Sequence, residues 1–149
     1  MSPRRPRRSN GRSGDAVEPS VLRYLARRDR TEAQVKAYLE RLGAAPARTR
    51  TLIARYRSLG YLNDQAYAAR WVRRRLERRP MGRARLEAEL IGQGIDPATT
   101  ARTLDLVYGE ISERDLARIF LARKPASAGM LRRHGFSEET IEAVFSPGD

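Results

Sequence analysis

The chain has 149 residues, room for one ordinary domain or a short array of repeated units, and 40% of them are hydrophobic. Its formal net charge is +12, with no cysteine and a single histidine, His134. That composition excludes disulfides and thiolate metal sites, leaves little basis for a zinc centre or a Ser-His-Asp arrangement, and favours a polyanionic partner.

Residues 1–16 hold five arginines, two prolines, two glycines and three serines with almost nothing apolar. Such a stretch cannot offset its ordering entropy by burial, so a disordered basic arm is expected over residues 1–17. From Glu18 the pattern becomes helical. Val21, Leu22 and Leu25 begin the first apolar stripe, which ends near Arg28–Arg30. Thr31 followed by Gln34 is a capping-box pattern, and Val35, Leu39 and Leu42 run on from it to a stop at Gly43. A third stripe starts at Pro46, passes through Leu52, Ile53, Tyr56 and Leu59, and stops at Gly60. Asn63 or Asp64 caps a fourth helix carrying Tyr67, Ala68, Trp71, Val72 and Leu76, which Pro80 breaks. Leu86, Leu90 and Ile91 mark a fifth that closes at Gly94. Asp96-Pro97 opens a sixth with Ala101, Leu104, Val107 and Tyr108, stopping at Gly109. Ser112 with Asp115 opens a seventh carrying Leu116, Ile119 and Phe120. Met130 and Leu131 lie in a short eighth, and Ser137 caps a ninth with Ile141, Val144 and Phe145. No stretch alternates as a strand would, so the chain is all-α.

Three joints look alike: Leu42-Gly43 leading to Pro46, Gly94-Ile95-Asp96-Pro97, and Gly135-Phe136-Ser137. In each, a short helix ends on glycine and a new helix begins within a few residues. The nine helices thus fall into three tandem three-helix repeats, at 18–62, 63–109 and 110–149, stacked as an elongated, curved helical array.

Charge is uneven along this array. Residues 1–95 carry 23 basic and 9 acidic side chains, whereas residues 96–149 carry 7 and 9. The densest cluster runs from Arg70 to Arg85, with eight arginines and one acid. Steps of about 100° per residue put Ala68, Trp71, Val72 and Leu76 on one arc and Arg70, Arg73, Arg74 and Arg78 on the other. Arg75 and Arg79 fall toward the apolar side, where they must snorkel or leave with the last turn. A merely solvated face mixes signs, whereas this one is nearly all positive and is eased by an anionic partner. Arg70, Arg73, Arg74, Arg78, Arg79, Arg83 and Arg85 are therefore the candidate contacts to nucleic acid or a filament. Arginine's dominance over lysine, 28 to 2, follows in large part from GC-rich coding, although guanidinium forks also suit phosphates.

Trp71 and the six tyrosines read as core, lacking the even spacing of a base-stacking platform. His134, near a helix end, reads as a capping residue. There is no glycine-rich phosphate loop, no metal-ligand cluster and no nucleophile–base pair, so neither enzymatic activity nor a cofactor is expected. No apolar run approaches the roughly 20 residues of a membrane span, and no secretory h-region follows the basic N-terminus. A soluble, cytoplasmic monomer is expected, with no membrane partner.

The run Gly60-Tyr61-Leu62-Asn63-Asp64-Gln65-Ala66-Tyr67-Ala68, then Trp71 and the arginines, then Gly82-Arg83-Ala84-Arg85-Leu86, Glu89-Leu90 and Gly94-Ile95-Asp96, resembles the central signature of the RecX family. Upstream, Tyr24-Leu25-Ala26-Arg27-Arg28-Asp29-Arg30-Thr31 is similar to that family's first repeat. Downstream, Leu131-Arg132-Arg133, Gly135-Phe136-Ser137 and Ile141 resemble its third. The resemblance covers roughly residues 19–146 and departs at the N-terminal arm and at the short link from Pro125 to Gly129. It implies three tandem three-helix repeats that bind the RecA recombinase and its filament on DNA. It further implies inhibition of ATP hydrolysis, strand exchange and co-protease activity, a place in DNA repair, recombination and the SOS response, and no enzymatic activity. The less charged third repeat, with Arg132 and Arg133, would then touch protein. The alternative is an independent helical DNA-binding protein of helix-turn-helix type.

Overall fold

A computed structural model describes residues 11–146, with side chains from residue 16. Among the described residues there are nine α-helices and no strand: α1 (Gly11–Arg27), α2 (Glu32–Arg41), α3 (Pro46–Ser58), α4 (Asp64–Arg78), α5 (Arg83–Gly92), α6 (Pro97–Glu110), α7 (Glu113–Arg123), α8 (Ala128–Arg133) and α9 (Glu138–Phe145). The all-α expectation holds.

Local chemistry sets most of these boundaries. The Thr31 hydroxyl accepts from the Gln34 N–H at 3.1 Å while the Gln34 side chain accepts from the Thr31 N–H at 3.0 Å, closing the capping box of α2. Asp96, Ser112, Ser127 and Ser137 each accept from the N–H three residues on, at the starts of α6 to α9. Hydrogen bonds from Thr99 hold the Asp96 carboxyl below the usual carboxylate range. The α6 cap is therefore complete above the unfolded-state pKa and is lost as the pH falls through the lowered one. Because Thr31 is fully buried, Thr31→Ala should lose about 1–2 kcal/mol of stability without changing the helical signal, as read by urea denaturation.

Four helices end on the same hydrogen-bonded turn. Gly43, Gly60, Gly94 and Gly135 have φ between +78° and +88°. The residue after each donates back to the carbonyl five positions earlier: Ala44 to Leu39, Tyr61 to Tyr56, Ile95 to Leu90 and Phe136 to Leu131, at 2.8–3.2 Å. This is the Schellman motif, and only glycine takes its left-handed position without strain. At three of the four turns, the next helix has its N-cap two residues beyond the glycine, at Ala45, Asp96 and Ser137. One local device thus recurs between α2 and α3, α5 and α6, and α8 and α9.

The chain divides into two compact units, Met1–Asn63 and Asp64–Asp149. In the first, α1, α2 and α3 enclose Val17, Val21, Val35, Leu39, Leu52, Tyr56 and Leu62. In the second, α4, α5 and α6 bury Val72, Leu86, Leu90, Ile95 and Leu104. A neighbouring cluster is built on Leu116, Phe120, Leu131, Phe136 and Ile141. Leu76 and Tyr108 pack against both clusters, which join the second unit into one body.

Within that body the backbones of two loops touch. The Gly82 N–H donates to the His134 carbonyl at 2.9 Å, and the Ala84 N–H to the Gly135 carbonyl at 3.3 Å. Gly82 is the N-cap of α5 and offers no capping side chain. Glu113 supplies one from α7: its Oε2 accepts from the Arg83 N–H at 3.0 Å, and its Oε1 accepts from the Ser137 N–H at 2.6 Å. One carboxylate therefore sits at the positive ends of two helices. The Tyr108 hydroxyl donates to the Met81 carbonyl at 2.8 Å beside them, and burial raises its pKa so that it stays a donor.

Three expectations need correction. Helix α1 begins at Gly11 rather than at residue 18, and its Val17 joins Val21 in the core. Residues 1–10 of the expected arm lie outside the described residues. Gly109 does not stop α6, which runs to Glu110 and ends where Ile111 turns extended. Tyr61, Ile119 and Phe145 are exposed rather than core.

Candidate nucleic-acid interface

Helix α4 positions the arginine run. Ala68, Ala69 and Val72 are buried, and Trp71 and Leu76 pack partly buried against the core, as their arc requires. Arg70, Arg73, Arg74 and Arg78 are exposed on the opposite side. Arg75 is half-buried, whereas Arg79 lies past the last helical residue and is exposed.

The expected field of unopposed charge is only partly present. Arg73 forms a two-pronged pair with Glu110 at the end of α6, Nε to Oε2 at 3.2 Å and Nη2 to Oε1 at 2.6 Å. The hydrogen bond raises the arginine's pKa and lowers the carboxyl's. Arg75 and Arg85 converge on one oxygen of Glu89, at 3.1 and 3.2 Å. The other Glu89 oxygen is buried with no hydrogen-bond partner among the described residues. Arg83 reaches Asp105 at 2.6 Å. In α8, Arg132 is held by both carboxylate oxygens of Glu138. Thus Arg73, Arg83, Arg85 and Arg132 are engaged by carboxylates. Arg70 also has an interaction partner. Among the described residues, no ion pair reaches Arg74, Arg78, Arg79 or Arg133.

Arg74 and Arg78 are four residues apart on one face, and Arg79 follows directly. These three exposed guanidinium groups at the C-terminal end of α4 are the part of the run still available to a polyanion. On the same helix, Arg73, Leu76 and Glu77 help to line an open groove of about 330 Å³, together with Ile111, Leu116 and Ile119. His134 is the C-cap of α8, its Nδ1 2.8 Å from the Met130 carbonyl and its ring against Phe120, in line with a capping role. Among the described residues, no group of three or more His, Cys, Asp or Glu could hold a metal ion.

Helices in threes, joined by a recurring glycine turn and carrying an exposed arginine cluster, define a helical-repeat protein suited to binding. Comparison with known proteins narrows the class. Residues 20–55 match the family model of the first three-helix domain of RecX, and residues 63–104 match that of its second. The chain is 30% identical over 133 residues to the regulatory protein RecX of Mycobacterium leprae (strain Br4923), covering 80% of this chain and 78% of that protein. To the regulatory protein RecX of Treponema pallidum (strain Nichols) it is 28% identical over 136 residues, covering 88% and 79%. The crystal structure of RecX from Lactobacillus salivarius shares its fold, with a TM-score of 0.76 at 21% identity, covering 89% of this chain and 94% of that one. The chain belongs to the RecX family of regulatory proteins, which is not a known family of enzymes. No helix among the described residues is long and apolar enough to cross a membrane.

Proposed function

We propose that this protein binds the RecA recombinase and its filament on DNA as a cytoplasmic monomer and modulates the recombinase, chiefly by inhibition. ATP hydrolysis, strand exchange and co-protease activity would all fall as it binds. Membership of the RecX family supports the partner. The observation that carries the contact is the cluster Arg74, Arg78 and Arg79, exposed and without ion pairs among the described residues. Like charges held this close repel one another until phosphates neutralise them. The less charged α7 to α9, with the exposed Arg133, would meet protein.

The test is DNA-dependent ATP hydrolysis by the cognate recombinase, titrated with this protein over a tenfold molar range. Hydrolysis should fall with added protein, and inhibition should weaken steeply as salt rises, because each phosphate contact releases counterions. Flat hydrolysis together with retained binding to bare duplexes would favour the helix-turn-helix reading instead.

A further inference from the structure

Net charge divides unevenly between the two compact units. Residues 1–63 carry 15 lysines and arginines against 5 acids, +10, whereas residues 64–149 carry 15 against 13, +2. The first unit therefore attracts a polyanion more strongly, although the longest arginine run lies in the second.

Within the first unit, two tyrosine rings stack and an arginine lies over each. The Arg30 guanidinium carbon lies 3.8 Å from the Tyr24 ring centroid. Tyr24 stacks on Tyr38 with 4.1 Å between centroids and 4° between planes. Beyond Tyr38, the Arg41 guanidinium carbon is 5.6 Å from the ring centroid. Arg30 is pinned in place, its Nε donating to the Tyr24 carbonyl at 3.3 Å. Both tyrosines are half-buried, so each ring has an edge against the core and an edge at the surface.

The two ends of this ladder differ. Arg30 is tight and half-buried, whereas Arg41 is loose and exposed. Arg27, the last residue of α1, follows Tyr24 by three positions on the same side of the helix, and Arg28 comes directly after the helix end. Both are exposed, and among the described residues no ion pair reaches either. An aromatic ladder open at one end, in a unit that also carries the exposed cations Arg27 and Arg28, combines the two elements of single-stranded nucleic-acid recognition, a π-face and phosphate neutralisation.

We propose that the Arg30–Tyr24–Tyr38–Arg41 ladder is a stacking site for a base of single-stranded nucleic acid. The base enters between Arg41 and Tyr38 as the exposed arginine swings aside, and the guanidinium then closes on its far face. Arg27 and Arg28 take the adjoining phosphates. Bases in a duplex already stack on one another, so the site prefers a single strand, and it is tolerant of sequence because every base presents a π-face. This site shares with the function proposed above only nucleic acid as a ligand and needs no recombinase.

The experiment uses the full chain without recombinase and follows the fluorescence anisotropy of three labelled probes. They are an oligothymidylate of about 15 nucleotides, an abasic strand of the same length, and a duplex of that length. The thymidylate should bind roughly tenfold more tightly than the abasic strand and more tightly than the duplex. Tyr38→Leu, which keeps an apolar group against the core, should bring thymidylate binding down to the abasic level and leave abasic binding unchanged. Arg41→Ser, a change at an exposed position, should narrow the same ratio even if Tyr38→Leu fails to fold. Equal binding of thymidylate and abasic strands would mean a phosphate-only patch and overturn the proposal. So would a ratio indifferent to Arg41→Ser, or no binding to any probe.

Discussion

Gly82→Ala is expected to destabilise the second unit by at least about 3 kcal/mol, the upper range for forcing atoms into a filled site. The reason is steric rather than conformational. Gly82 has φ −79° and ψ 156°, a backbone any residue adopts. A Cβ there would fall 2.1 Å from the Gly135 carbonyl carbon and 2.2 Å from the Phe136 nitrogen, both backbone atoms that cannot rotate away. Relief requires the two loops to part, which breaks the bonds from Gly82 to His134 and from Ala84 to Gly135 and stretches the Glu113 bridge. Urea denaturation should show the loss, and hydrogen exchange should show first protection failing across α8 and α9. Gly109→Ala is the matched control. Gly109 lies within α6 with nothing inside 4 Å of its added Cβ, so alanine there should gain about 0.5–1 kcal/mol from helix propensity. Equal responses at the two glycines would show that the loop contact carries no strain.

What the sequence made legible was local. The capping box at Thr31 and Gln34, the serine caps at 112 and 137, and the glycine turns at 43, 94 and 135 depend on residues within six positions of one another, so pattern alone locates them. Pairings between distant residues were not legible. Arg73 meets Glu110 across 37 positions and Arg83 meets Asp105 across 22, because α4 and α5 both pack against α6. Charge counting along the chain cannot see that packing, and so it overstated the free arginine field. Glu113 escaped notice for the same reason: it looks like a first-turn acid of α7, yet its oxygens serve the starts of α5 and α9. The tyrosine ladder was missed because Tyr24 and Tyr38 are 14 residues apart and only the folding of α1 on α2 brings them face to face.

Reversing the three remaining guanidinium groups should separate charge that binds from charge that is already paired. The triple variant Arg74→Glu, Arg78→Glu, Arg79→Glu is expected to lower affinity for the recombinase filament by on the order of a hundredfold at moderate salt. If all three touch phosphates, the slope of log affinity against log salt should also shrink by about 3, since each contact contributes close to one counterion. The fold should survive, because no ion pair among the described residues depends on these side chains. Glutamates at the end of α4 oppose the helix dipole, so the corresponding glutamine variant keeps the reading clean: it removes charge without adding repulsion. Arg73→Gln should cost less affinity than any one of the three, because its fork is already occupied by Glu110. Filament binding by the glutamine triple variant that matched the parent protein in both strength and salt slope would remove α4 from the interface, leaving the recombinase to be met by another surface.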